Sequence, residues 1–186
     1  IILHNTVVKV GDGFMVGSDP TYVKFRNNLT IGGHGGGNFG HFGTGRGMAV
    51  NFPNVFETTD SDYNGFGVVG MPFEGIIGRQ RIESLDDIRR LTPEKHAVQV
   101  DMNIFAANPA FPAPPFPARE PADLRLAAGS VAVDAGQVIP NVNDDYNGKA
   151  PDLGAYEQGQ DLPIYGPRPQ GVDEETQWNA MQKTRK

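Results

Sequence analysis

Cysteine is absent from the chain. That excludes disulfide stapling and thiolate chemistry. An excess of positive charge is also missing: 16 Lys and Arg stand against 22 Asp and Glu, for a net charge of −6 and a pI of about 5.1. A nucleic-acid partner is therefore not expected, since phosphate binding calls for a basic face. No apolar run approaches the roughly 20 residues that span a bilayer. The chain has neither a signal-peptide pattern nor an initiator methionine at its head. It opens on IILHNTVVKV, which reads as a strand. A protein rarely starts inside a strand, so an upstream fragment or a neighbouring chain is expected to cover this edge.

Hydrophobic residues make up only 38% of the chain. Glycine and proline are abundant instead, at 24 and 15 of 186 residues. The balance points to a thin, turn-rich architecture rather than a thick core. Strand-like runs occupy Ile1–Val10 and Val23–Gly33, separated by turn formers. Gly32–Gly47 is a glycine-rich loop without the pattern of a phosphate loop. Ser84–Leu91 predicts a short helix: Ser84 caps it, Asp87 stands three residues on, and Leu85, Ile88 and Leu91 share a face. Thr92-Pro93 ends it. Asn108–Pro121 holds six prolines and reads as an extended strap.

A repeated pattern places an asparagine two residues before a large apolar residue: Asn5-x-Val7, Asn27-x-Leu29, Asn64-x-Phe66 and Asn103-x-Phe105. Stacked as parallel strands about 4.8 Å apart, these asparagines would form a hydrogen-bonded column. Alternation along each strand then directs His4, Arg26, Tyr63 and Met102 outward.

The stretches HNTVV, FRNNL, SDYNGF, SLDDIRRLTPEKHAVQVDMNIF, DLRLAAGSVAVDAG and APDLGAYEQGQDLPIYGPR carry a resemblance. The last two are the most specific. Together they resemble the C-terminal portion of right-handed parallel β-helix repeat proteins of the pectate-lyase-like superfamily. The resemblance implies an all-β parallel solenoid over residues 1–168 with long loop insertions, one short helix and a C-terminal cap; it departs in the Gly32–Gly47 loop and over residues 169–186, which read by composition as a polar tail. It also implies a secreted or cell-surface, carbohydrate-active protein. The expected partner is a polysaccharide, cleaved by lyase-type β-elimination on uronate glycans or by related chemistry. The alternative is a non-catalytic structural, adhesin-like or glycan-binding β-helix. In the cap, Val131, Val133 and Leu153 are expected to fill the last layer under Tyr156, with Asp134 and Asp152 bonding backbone N–H groups at turns.

Uronate elimination needs a cation to neutralise the carboxylate, a base for the C5 proton and an acid for the leaving oxygen. The outward column supplies candidates: Arg26 as neutraliser, and His4 and Tyr63 as base and acid. Lys24, Arg79 and Arg81 are candidates for holding an acidic glycan. A hydrolase would instead pair carboxylates among Asp60, Asp62 and Asp101, although the alternation makes Asp62 and Asp101 turn-bonding residues. Calcium is a candidate ligand at Asp60–Gly65 and Asn143–Gly148, both of which lack the terminal glutamate of an EF-hand loop. His34 and His41 show no zinc-like spacing.

Overall fold

Short parallel strands joined by sharp corners build most of the molecule. The computed structural model describes residues 1–16, 22–34, 38–39, 42–43, 45–52, 59–113 and 122–162. The expected tail, His41 and the end of the proline strap lie outside these residues.

The first predicted strand is two: β1 (Ile2–Leu3) and β2 (Thr6–Val8). The second divides in the same way, into β3 (Lys24–Arg26) and β4 (Leu29–Gly33). A hairpin of β5 (Asn38–Phe39) and β6 (Phe42–Gly43) follows, then β7 (Asn51–Phe52), β8 (Asp60–Asp62) and β9 (Gly65–Val69). The hairpin β10 (Gly75–Ile77) and β11 (Gln80–Ile82) leads to helix α1 (Leu85–Leu91) and to β12 (Val98–Gln99). Sheet A has the order β1-β3-β8 and sheet B the order β12-β9-β4-β2, both parallel throughout. Sheet C, β11-β10-β7, is mixed. β1 and β2 are the outermost strands on one side of sheets A and B, and Ile1 is exposed there.

This arrangement corrects the expected fold class. The described residues form several small parallel and mixed sheets with one short helix, and no closed right-handed β-helix. Three passes of the chain do stack in parallel, but the third side turns back on itself, because β11 runs antiparallel to β10. Among the described residues a fourth full pass does not form. Asn103 lies in a 3-10 turn, Met102–Ile104, whose first turn Asp101 caps.

Each stacked pass breaks at a corner where a non-glycine residue adopts left-handed backbone: His4, Asn27 and Tyr63, with φ of 53°, 58° and 57°. The corner shifts the alternation by one residue. The true polar column is therefore Asn5, Asn28 and Asn64, with Asn28 in the place expected for Asn27. Asn5 donates to Asn28 Oδ1 at 3.0 Å, and Asn28 donates to Asn64 Oδ1 at 3.0 Å. The backbone N–H groups of Asn5 and Asn28 bond the same oxygens. Asn64 Nδ2 then donates to Glu94 Oε1 at 2.8 Å. A buried glutamate, rather than Asn103, is the fourth member.

Two apolar clusters lie on the two faces of sheet B. Phe25, Phe52 and Phe66 join Val50, Ile77, Ile82 and Ile88 on the inner side. Phe25 and Phe52 meet edge to face with centroids 5.1 Å apart, within the range that favours aromatic pairs. On the other face Leu29 and Ile31 pack against Val100, Ile104, Leu126 and Leu153. Sheet B is thus buried on both faces, as parallel sheets generally are. In the cap, Val131 is 57% exposed and Ala132 takes the buried position expected of it, while Leu153 is buried as expected. The helix forms as predicted. Ser84 Oγ accepts from Asp87 N at 3.1 Å, and Asp87 reaches back to Glu83 N–H.

Asp12 anchors the return to sheet C. Its Oδ1 accepts from the N–H groups of Arg46, Gly47 and Met48, and its Oδ2 from Asn51 Nδ2, all within 3.0 Å. Asp12→Ala leaves four donors without this acceptor. A loss of about 3 kcal/mol is expected, because the two donors in buried bonds, Gly47 N and Met48 N, go unsatisfied at roughly 1–3 kcal/mol each. A urea midpoint within error of wild type would contradict it.

Candidate functional site

The outward side chains of sheet A come from alternate positions of β3 and β8. Phe25 and Ser61 point inward and are buried, so Lys24, Arg26, Asp60 and Asp62 point out. Register sets Lys24 beside Asp60 and Arg26 beside Asp62. Arg26 Nε donates to Asp60 Oδ1 at 2.8 Å, its terminal nitrogens reach Asp60 and Gln137, and Lys24 Nζ lies 3.6 Å from Asp60. The bond from the Arg26 guanidinium holds the Asp60 carboxyl below the usual carboxylate range.

Beside this ion cluster sits a pair formed by Asp62 and His96, a residue expected from its place after the helix only to pack there. His96 lies on the turn after α1. Its backbone N–H donates to Asp62 Oδ1 at 2.8 Å, and its ring Nδ1 lies 2.9 Å from Asp62 Oδ2. With Nδ1–H on the carboxylate, Nε2 carries the free lone pair. Tyr63 stacks on the imidazole, with centroids 4.2 Å apart and planes at 11°. Asp62 is mostly shielded while His96 is 56% exposed. The geometry is that of an oriented base: one ring nitrogen fixed by a carboxylate, the other facing solvent.

The expected outward column of His4, Arg26 and Tyr63 does not assemble. His4 and Tyr63 share corner positions with Asn27, whereas Arg26 lies in register with Leu3 and Asp62. His4 turns toward the C-terminal cap. Its Nδ1 lies 3.2 Å from Gly154 O, and its Nε2 accepts from Asn27 and Asn143 at 3.0 and 2.8 Å. Burial pushes its pKa down, against the opposing effect of the Gly154 bond. Arg26 and Tyr63 do stay on one face, Arg26 beside Asp62 and Tyr63 on His96. Lys24 stays with Arg26, but Arg79 and Arg81 lie elsewhere: Arg79 is in the exposed β10–β11 turn, and Arg81 pairs with Glu83 and Glu74.

No family model, curated protein or solved structure matches the chain. The pectate-lyase-like resemblance therefore rests on the quoted motifs alone.

A cleft of about 310 Å³ lies by His4, lined among others by Tyr146, Tyr156, Glu157 and Leu162. Its central carboxylate is already engaged. Glu157 accepts from Asn147 N and Asp152 N, Asp152 accepts from Asp134 N and Gln158 N, and Asp134 accepts from Lys149 N and Ala150 N. Burial raises the pKa of Glu157 and of Asp152. These acids knit the cap together, the role expected of Asp134 and Asp152. The first calcium motif does not gather its oxygens: Asp60 faces Arg26, Asp62 faces His96, and Asn64 is in the amide column. In the second, Asn143 Oδ1 accepts from Ile139 N and Asp144 Oδ2 from Asn141 N. Among the described residues no group of three or more His, Asp or Glu side chains is placed to hold a metal ion. Likewise, no helix among them is long and apolar enough to cross a membrane.

One sequence signal would have found His96. Asp62 and His96 each sit two residues from a member of the polar column, before Asn64 and after Glu94. A pattern of asparagines alone does not reach His96, because a glutamate ends the column.

Proposed function

We propose that the outward face of sheet A, with its adjoining turn, binds an acidic polysaccharide and cleaves it by β-elimination. The observation that carries this reading is the Asp62–His96 pair stacked on Tyr63 beside Arg26 and Lys24. The neutral imidazole Nε2 takes the proton from C5 of a uronate. The electron pair of that C–H bond forms the C4–C5 double bond, and the C4–oxygen bond breaks. The Tyr63 hydroxyl, or the newly formed imidazolium, returns a proton to the departing oxygen. Arg26 and Lys24 oppose the charge that builds on the uronate carboxylate. The chemistry consumes no oxidant or water. Action outside the cell, where such polymers are found, follows from the substrate and agrees with the motif resemblance.

A second reading has its own supporting observation. Asp60 already engages both Arg26 and Lys24, which weakens their pull on a substrate carboxylate. On that reading the face holds a glycan without cleaving it.

The test follows ultraviolet absorbance of the unsaturated product on a panel of uronate polysaccharides, with and without calcium. His96→Gln removes the base but keeps the backbone N–H bond to Asp62. Turnover is expected to fall about 100-fold or more, the usual contribution of a positioned base. An unchanged rate in this variant would remove His96 from the reaction. Glycan retention without any product, in wild type, would favour the binding reading.

A further inference from the structure

The amide column ends in a chemical mismatch. Glu94 is fully buried, and its Oε1 takes both available donors, Ser61 Oγ and Asn64 Nδ2. Its Oε2 is buried with no hydrogen-bond partner. Buried polar atoms are nearly always paired, and an unpaired one has a cost that evolution would be expected to remove. Glutamine or asparagine would have continued the amide pattern without introducing an ionisable group.

Glu94 is also wired to the His96 turn. Its backbone N–H bonds Thr92 Oγ1, which in turn donates to Ile88 O at the end of α1. Ala97 N closes back on Glu94 O at 3.5 Å, so the backbone from Glu94 to Ala97 forms one tight turn with His96 on it. The charged groups facing this turn come from three directions. Asp62 and Arg26 reach it from sheet A, Arg89 from α1 bonds Ala97 O, and Lys95 on the turn itself bonds Arg89 O.

We propose that Glu94 is a proton-controlled positioning residue: in its neutral form it latches the His96 turn onto the amide column, and in its ionised form it releases that turn from Asp62. The carboxyl is suited to the task. Burial drives its pKa up from about 4.5 to about 8, with the Asp62 charge adding to the rise, against the lowering effects of Ser61, Asn64 and Arg26. The sign of the linkage is fixed by this direction. A carboxyl raised in the folded state stabilises the fold fully below about pH 4.5. That contribution declines as pH rises and is gone once pH passes about 8. Ionisation also sets a second negative charge next to Asp62, the group that orients His96. Its effect on a reaction rests on the reading of His96 as the base, but the latch is measured without any substrate.

The test is amide hydrogen exchange at Ala97 and Val98, corrected for intrinsic rates, together with the histidine ring resonances, from about pH 6 to about pH 9.5. By the same linkage, wild type is expected to lose protection at least 10-fold between about pH 6 and about pH 8 and to level off above that, with the His96 ring signal changing in step. In Glu94→Gln both steps should vanish while protection at low pH is kept. Matching profiles in wild type and variant would overturn the proposal. Should Glu94→Gln fail to fold, the Glu94 carboxyl carbon is followed directly in wild type. Titration near pH 8 together with the protection step supports the latch, and titration in the ordinary carboxylate range overturns it. A pH step without any activity would leave the latch standing and remove only the catalytic reading.

Discussion

Asn64→Ala is expected to destabilise the fold by about 4 kcal/mol, read as a shift in the guanidinium midpoint. Asn64 is the most heavily used member of the polar column. Its Nδ2 donates to Phe25 O, Asp62 O and Glu94 Oε1 at 2.8, 3.1 and 2.8 Å. Its Oδ1 accepts from the N–H and side-chain amide of Asn28. Alanine removes every one of these bonds in a site closed to water. A buried group left unpaired costs roughly 1–3 kcal/mol, so two or three such groups reach the stated figure. Asn5 sets the comparison. It lies at the exposed end of the column and passes its amide only to Leu3 O and Asn28 Oδ1. Asn5→Ala should therefore cost about 1 kcal/mol, the net worth of an ordinary hydrogen bond. Equal losses in the two variants would mean that the column is not a cooperative buried network.

The same column shows how far the sequence could be read. Local signals were legible where one residue decides the outcome: the Ser84 cap, the Thr92-Pro93 stop and the β-branched strands all appear where composition places them. Asparagine stacking was legible as an idea but not in register. FRNNL offers two adjacent asparagines, and a strict period of two selects Asn27. The corner at Asn27 has positive φ, which a pattern of alternation does not encode, and it hands the inward position to Asn28. The same slip sets Leu29 opposite Gly65 and Thr30 opposite Phe66, so Leu29 and Phe66 lie on opposite faces of sheet B. The solenoid expectation failed at a different level. Closure depends on whether the third side of each pass continues in parallel, and the tight β10–β11 hairpin reverses it. The site was half legible. Lys24, Arg26 and Tyr63 are on the expected surface, but His96 enters only through a bond to Asp62 made 34 residues away.

Gly32→Ala is expected to cost more than about 3 kcal/mol and to leave little folded protein in the soluble fraction. Strand β4 passes under two other backbone segments at this point. A Cβ on Gly32 would stand 2.3 Å from Met48 O, 2.8 Å from Gly47 O and 2.9 Å from Gly11 O. All three are main-chain oxygens, so no rotamer change relieves the clash. Nor is the neighbouring backbone free to retreat. Asp12 pins Gly47 N and Met48 N, and Gly11 and Gly33 exchange both of their hydrogen bonds. Relief therefore requires breaking the Asp12 anchor or the Gly11–Gly33 bridge. Because they load the same junction, Gly32→Ala and Asp12→Ala should be less than additive in combination. Gly129→Ala separates this effect from backbone strain. Gly129 has φ of 75°, and a Cβ there meets nothing within 4 Å. Its substitution bears only the left-handed penalty of about 1 kcal/mol. A thermal midpoint for Gly32→Ala as high as that of Gly129→Ala would show that β4 and the 45–51 segment are not packed backbone to backbone, and the link from sheet B to sheet C would have to be redrawn.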